Sequence, residues 1–203
     1  MANHDDARPA HVFKILVTGP FAAGKTTLIQ AVSQTPVVET DVDTTGAEST
    51  VTERTTVAMD FGTYTLQDGD IQLLMFGTPG QERFWFMTEI MKGSVDAVIY
   101  VVDAQATHTH AEAGAAMRRL LKDLRVPLAV AVNRCDDPQV AETFARQLGA
   151  LVSEAAIPCQ LIDPISARQV MIEGLVAVLD GMEKGDVSLR TPIQQVLELA
   201  AAA

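Results

Sequence analysis

An apolar segment that runs straight into Gly19-Pro-Phe-Ala-Ala-Gly-Lys-Thr26 and then into a helix leaves this chain few architectures. Residues 12–18 are apolar and β-prone, and Leu28, Ile29 and Val32 recur on one face of the helical segment after the glycine-rich turn. That turn is a complete G-x4-G-K-[ST] match in the strand-to-helix context the motif requires. Backbone N–H groups of such a loop and of the helix start converge on one point, where the helix dipole also favours negative charge. Gly19 and Gly24 let the backbone turn and approach a ligand closely. The phosphate site so defined comprises Gly19, Phe21, Ala22, Ala23, Gly24, Lys25, Thr26 and Thr27. Lys25 is placed to meet the outer phosphates and the Thr26 hydroxyl to ligate Mg²⁺. The plainer reading is an ordinary glycine-containing turn; four specified residues at fixed spacing, with correct flanks, weigh against it. The loop alone selects a nucleoside triphosphate without choosing between ATP and GTP.

The rest of the chain alternates. Residues 35–56 are rich in Thr, Asp and Glu and have no period, which reads as a long loop, functional or disordered. Segments 57–66 and 71–76 are β-like, and the Asp-Gly of Gln67-Asp-Gly-Asp70 makes them an antiparallel pair. A short helix is expected over 82–91 and an apolar strand over 95–102. Thr109-x-x-Glu112 reads as a capping box opening a helix with Met117, Leu120, Leu121 and Leu124 on one face. Residues 128–132 form the next strand, Asp137-Pro138 caps a helix bearing Val140, Phe144 and Leu148, and 160–162 make a last short strand. Ile172, Leu175, Val176 and Leu179 mark another helix. Thr191-Pro192 restarts one more, carrying Ile193, Val196, Leu197 and Ala200, to which no function is assigned. The expected fold is α/β: a mostly parallel sheet with one antiparallel edge strand and helices on both faces. The expected division is a tail at 1–11, a domain at 12–181 and an extension with a short helix at 182–203.

Charge narrows the partners. Fifteen Lys and Arg against 26 Asp and Glu give a formal charge of −11, which disfavours nucleic acid and anionic lipid. Two cysteines form no disulfide framework, and the longest apolar run is too short to span a bilayer. The opening residues lack a signal-peptide pattern and the end offers no prenylation cysteine, so a soluble, cytoplasmic protein without a transmembrane segment is expected.

The base is chosen at Asn133-Arg134-Cys135-Asp136, at the end of a strand. A carboxylate there accepts from the ring N–H and exocyclic amine of guanine, a pair adenine does not offer. A ligand that leaves a desolvated carboxylate unmatched is strongly rejected. Asp136 is therefore the guanine reader. Downstream, Ser166-Ala167-Arg168 lies between a strand and a helix, where the Ala167 N–H would donate to the guanine O6. A polar turn capping the next helix is the alternative for Asn-Arg-Cys-Asp taken alone.

These motifs in this order resemble the Ras-like small GTPase superfamily over residues 12–181. Thr-Val-Ala-Met-Asp-Phe-Gly62 and Phe-Gly-Thr-Pro-Gly-Gln81 look closest to bacterial MglA-like and conservon-type members. The resemblance implies a switch that binds GTP and GDP with Mg²⁺ and hydrolyses GTP slowly. Asn133 would order the clamp, and Arg134 stands where the family has lysine, its stem still able to cover the base. Thr56 matches the switch I threonine that completes Mg²⁺ coordination, with Thr55 as the neighbouring register. Gly80 would offer its N–H to the γ-phosphate and Gln81 would orient the attacking water. Gly77 stands where the family has its metal-holding aspartate, which implies either weaker metal binding or another acid, such as Asp60, reaching in. Arg54 resembles an internal arginine finger, against a solvated surface arginine as the alternative.

MglA-like members further imply a roadblock/LC7-type regulator and an effector of unknown identity. A GTP-bound scaffold with little hydrolysis and an ATP-using P-loop protein are the competing classes. Outside the motifs, Asp103 reads as a strand terminator and His108 and His110 as residues without metal-ligand company. Phe84, Trp85 and Phe86 read as either core or a partner patch.

Overall fold

The computed structural model describes residues 9, 11–43, 56–66, 70–150 and 155–183. The tail at 1–8, Arg54, Thr55, the Asp-Gly of the 67–70 connector and the extension at 184–203 lie outside the described residues. In chain order come β1 (His11–Thr18), α1 (Lys25–Val32), β2 (Val38–Asp43), β3 (Thr56–Thr65), β4 (Ile71–Gly77), α2 (Trp85–Met91) and β5 (Ala97–Asp103). After them lie α3 (His110–Leu121), β6 (Leu128–Asn133), α4 (Pro138–Leu148), β7 (Ala155–Cys159) and α5 (Pro164–Glu183).

The strands form one sheet in the order β2-β3-β4-β1-β5-β6-β7. β1 pairs in parallel with β4 and β5, and β5-β6-β7 continue in parallel, while β3 runs antiparallel to both β2 and β4. The α/β class with helices on both faces is as the sequence implies. The reversed strand, however, lies one in from the edge, because β2 pairs outside it within the stretch read as loop. Alternation of Val38, Thr40 and Val42 with acids was the available signal; its acidic composition masked it.

Burial on both faces follows the strand period. Ile15 and Val17 of β1, Ile99 and Val101 of β5 and Ala129 and Ala131 of β6 face Leu28, Ile29, Val170, Met171 and Leu175 of α1 and α5. The alternate residues Leu16, Val98, Tyr100, Val102, Val130 and Val132 face Met117, Leu120, Ala141 and Ala145 of α3 and α4. β5 and β6 are buried along their whole length, as central parallel strands are.

Local signals fared unequally. The Asp137 carboxylate caps α4, accepting from Gln139 N at 2.8 Å and Val140 N at 3.3 Å. Thr109 sits at the N-cap of α3, but its hydroxyl donates to Ala106 O at 2.8 Å and caps nothing. Its αR backbone, after a 3₁₀ turn at Thr107–Thr109, already engages the residues that an extended N-cap would leave open. The last strand is Ala155–Cys159, not 160–162, which form the turn into α5.

Candidate functional site

The phosphate loop leaves β1 and enters α1 beneath the ends of β4 and β5. Ala22 takes φ 60° and Gly24 φ 109°, the left-handed steps that coil the loop before Lys25 opens the helix. A cavity of about 400 Å³ lies above it. Its walls bring Phe21, Ala22, Gly24, Lys25, Thr26 and Thr27 together with Gly80 and Gln81, two segments far apart in the chain.

Lys25 is largely buried, and its Nζ donates to Gly19 O at 3.0 Å and Pro20 O at 2.6 Å. Desolvation lowers its pKa to about 8, against the opposing pull of the Asp60 carboxylate. Asp60 also lines the cavity and accepts a hydrogen bond from Thr26 Oγ1 at 2.6 Å. It lies opposite Gly77 in the β3–β4 ladder, so the acid that β4 lacks is presented from the neighbouring strand. Thr56 opens β3, paired with Asp43; only its backbone position is described. Gln81 is exposed and its Oε1 accepts from Arg83 Nε at 2.9 Å.

At the far end of the loop, Asn133 ends β6 and is 9% exposed. Its Nδ2 donates to Ala23 O at 3.1 Å, and its Oδ1 accepts from Arg134 N at 3.0 Å and Leu161 N at 3.1 Å. Arg134 takes φ 57°, and its exposed head pairs with Asp103 Oδ2 at 3.2 Å. Asp103 does end β5, accepting from Gln105 N, and it also anchors this arginine. Asp136 is exposed, and its Oδ1 accepts from Gln160 Nε2 at 3.0 Å.

The Ser166-Ala167-Arg168 expectation meets a different geometry. All three lie in the first turns of α5; Ala167 is fully buried and its N–H is spent on Asp163 O at 2.9 Å. Ser166 Oγ instead accepts from Gln160 N at 2.9 Å, so it braces the turn that faces Asp136. That turn, Gln160-Leu161-Ile162-Asp163, occupies the place assigned to Ser-Ala. Reading 160–162 as a strand hid it; the signal was the Asp163-Pro164 helix start, which puts the loop before it.

The aromatic trio divides: Phe84 and Trp85 are buried, and Phe86 is 46% exposed on α2.

Hard oxygen donors suit Mg²⁺, which takes few protein ligands and keeps the rest for water and phosphate. The Thr26 hydroxyl and Asp60 carboxylate, 2.6 Å apart on the cavity wall beside Lys25, are a donor pair of that kind.

Residues 17–151 match the protein family described as "Conserved hypothetical ATP binding protein". The uncharacterized protein MJ1339 of Methanocaldococcus jannaschii is 30% identical over 123 residues, covering 61% of this chain and 70% of that one. Human Ras-related protein Rab-7L1 is 30% identical over 139 residues, and the Ras-related protein RABA5e of Arabidopsis thaliana 24% over 161. These matches cover 62% and 77% of this chain, and 61% and 68% of the two relatives. No described helix is long and apolar enough to cross a membrane. By the match over residues 17–151, the chain belongs to this family, and over part of its length it is similar to Ras-related Rab proteins.

Proposed function

We propose that the chain binds GTP and GDP with Mg²⁺ as a molecular switch and hydrolyses GTP slowly. One observation carries the choice of base. Asp136 presents a carboxylate held by Gln160, and Asn133 connects that region to the phosphate loop through Ala23 O. Two oxygens aimed from one side chain match the adjacent N–H donors of guanine and leave adenine unmatched.

In this reading Lys25 leaves the loop carbonyls for the outer phosphates, and Gly19 to Thr27 surround them with backbone N–H groups. Thr26 and Asp60 hold Mg²⁺, with Thr56 joining from β3; the ion neutralises developing charge on the phosphates when bound. Gly80 N–H meets the γ-phosphate, and Gln81 orients the water whose oxygen bonds to phosphorus as the bond to the leaving diphosphate breaks. Arg54 acts as a finger on that transition state, and Ala167 serves the base only by packing beneath its loop. Arg134, tied to Asp103, flanks the base with its stem.

The Gly-Thr-Pro-Gly-Gln segment favours an MglA-like or conservon-type member, with a roadblock/LC7-type regulator and a separate effector, in the cytoplasm. Residues 12–181 form the G domain, and 182–203 an extension of it. A scaffold that holds GTP without turnover is the second reading, favoured by the Arg83 hydrogen bond that engages Gln81. An ATP-using protein is the third, suggested by the family's description. Competition of GTP, GDP and ATP for the purified protein decides the base: the proposal expects guanine nucleotides to displace ATP by orders of magnitude, and equal affinities overturn it. Phosphate release at saturating GTP, alone and with the regulator, separates switch from scaffold.

A further inference from the structure

Three threonine hydroxyls close a ring in the interior beside the phosphate loop. Thr78 Oγ1 donates to Thr18 Oγ1 at 2.9 Å, and Thr88 Oγ1 lies 3.1 Å from each of the other two. Exposure is 2%, 2% and 1% for Thr18, Thr78 and Thr88. A hydroxyl carries one proton. Since Thr78 gives its proton to Thr18, Thr18 donates to Thr88 and Thr88 to Thr78, and the ring satisfies itself.

Its members come from three separate pieces. Thr18 is the last residue of β1, directly before Gly19; Thr78 comes just after β4 and starts the loop to Gln81; Thr88 lies in the middle of α2. The Thr78 N–H also donates to Val17 O at 3.0 Å, so the loop leaves the sheet pinned at its first residue. Two residues on, the loop presses against the phosphate site: a Cβ on Gly80 would lie 2.4 Å from Phe21 N and 2.6 Å from Lys25 Nζ. On the other side, Phe86 and Ile90 of α2 are 46% and 68% exposed, with buried Thr88 between them in sequence.

Hydroxyls buried this deeply are costly to leave unmatched. Moving α2 without the loop, or the loop without α2, opens two of the three bonds. Moving both together against β1 opens two as well, so the ring ties the loop and α2 to each other as firmly as to β1, and a loop that shifts with its Thr78–Thr88 bond intact carries α2 with it. A γ-phosphate that adds contacts to the Gly80 loop thereby acts on α2, because a ligand shifts only what its differential contacts touch.

We propose that this hydroxyl ring is the joint between the Gly80 loop and α2, and that Thr88, which touches no nucleotide, is a positioning residue for the GTP-over-GDP preference. It rests on the guanine-nucleotide reading of the site. The alternative is three buried polar groups that merely satisfy one another.

Thr88→Val removes the hydroxyl at nearly constant volume, and Thr88→Ser keeps it. Affinities for GDP and for a non-hydrolysable GTP analogue are measured with Mg²⁺, alongside emission of Trp85, the chain's single tryptophan and the first residue of α2. The joint predicts that exchanging GDP for the analogue changes Trp85 emission in the wild type. Thr88→Val should change the ratio of the two affinities by about fivefold or more, while Thr88→Ser stays within about twofold of wild type. An unchanged ratio in Thr88→Val, with only a lowered Tm, overturns the proposal and leaves the nucleotide reading intact. If that variant does not fold, identical Trp85 emission in the two wild-type complexes overturns it equally. Binding of neither nucleotide by the wild type removes both.

Discussion

Asp60 of β3 stands across the ladder from Gly77 of β4, and the space of one is filled by the other. A Cβ on Gly77 would fall 3.0 Å from Asp60 Cβ and 2.7 Å from Ile29 Cδ1. The glycine at 77 is therefore what lets a carboxylate reach Thr26 from the adjacent strand.

The pair predicts an asymmetric mutational response. Asp60→Asn should weaken Mg²⁺-dependent nucleotide binding by roughly 10–100-fold, as loss of a metal-site group typically does. Gly77→Asp should not compensate; with Asp60 present it should lower Tm, since the new Cβ would crowd Ile29 Cδ1 and Asp60 Cβ. Titration of GDP with Mg²⁺ and with chelator, on Asp60→Asn, Gly77→Asp and Asp60→Gly/Gly77→Asp, checks both. Mg²⁺-dependence retained in full by Asp60→Asn removes that residue from the metal site.

At the base end, Asp136→Ala should abolish preference for guanine over adenine nucleotides. Gln160→Leu should weaken GDP binding by about tenfold while leaving Tm nearly unchanged, because a hydrogen bond to a charged group is lost at an exposed position. Ala167→Ser should fail to mimic either effect, since residue 167 packs in α5. Competition titrations of GDP against ADP read all three, and a Gln160→Leu variant that binds as wild type dismisses the bracing role.

Lys25 gives the site a pH signature. Burial lowers its pKa to about 8 from 10.5, so the unfolded chain binds the proton more tightly than the folded one. Between about pH 8 and 10.5, the nucleotide-free protein should gain stability from this group as pH rises. Polyphosphate binding runs the other way, because it needs the ammonium: GDP affinity should be constant below about pH 8 and fall above it. Asp60 pulls the pKa upward, so Asp60→Asn should move the fall to lower pH. Calorimetric titration from about pH 6.5 to 9.5 tests this, and a flat profile through about pH 9 contradicts it.

Asp137→Ala removes the side-chain cap of α4 and should cost about 1 kcal/mol. For a domain of this size that is a Tm shift of roughly 2–4 °C, read by calorimetry. Guanine selectivity should survive, because Asp137 faces the helix N–H groups and Asp136 faces Gln160.

Legible in the sequence was whatever a short contiguous motif enforces. Gly19 to Thr26, Asn133 to Asp136 and the Asp137-Pro138 cap each specify a local backbone, and the structure places each at the element boundary expected. Three features depended on pairing between distant segments and could not be read that way. Strand β2 needs β3 beside it before its acids sit in a ladder. Asp60 gains a role only through its register with Gly77. Gln160 meets Asp136 only because β7 ends one residue earlier, at Cys159, paired with Asn133. The threonine ring is of the same kind, its members separated by 60, 70 and 10 positions.

Asn133 spreads its carboxamide over three different loops: Ala23 of the phosphate loop, Arg134 of its own and Leu161 of the next. The spacing between the region that grips phosphate and the region that inspects the base is thereby set before any ligand arrives. Such a pocket behaves as a fixed caliper. A mononucleotide long enough to satisfy only one jaw forgoes the other, and substituting this single amide should loosen both jaws at once instead of dulling one of them.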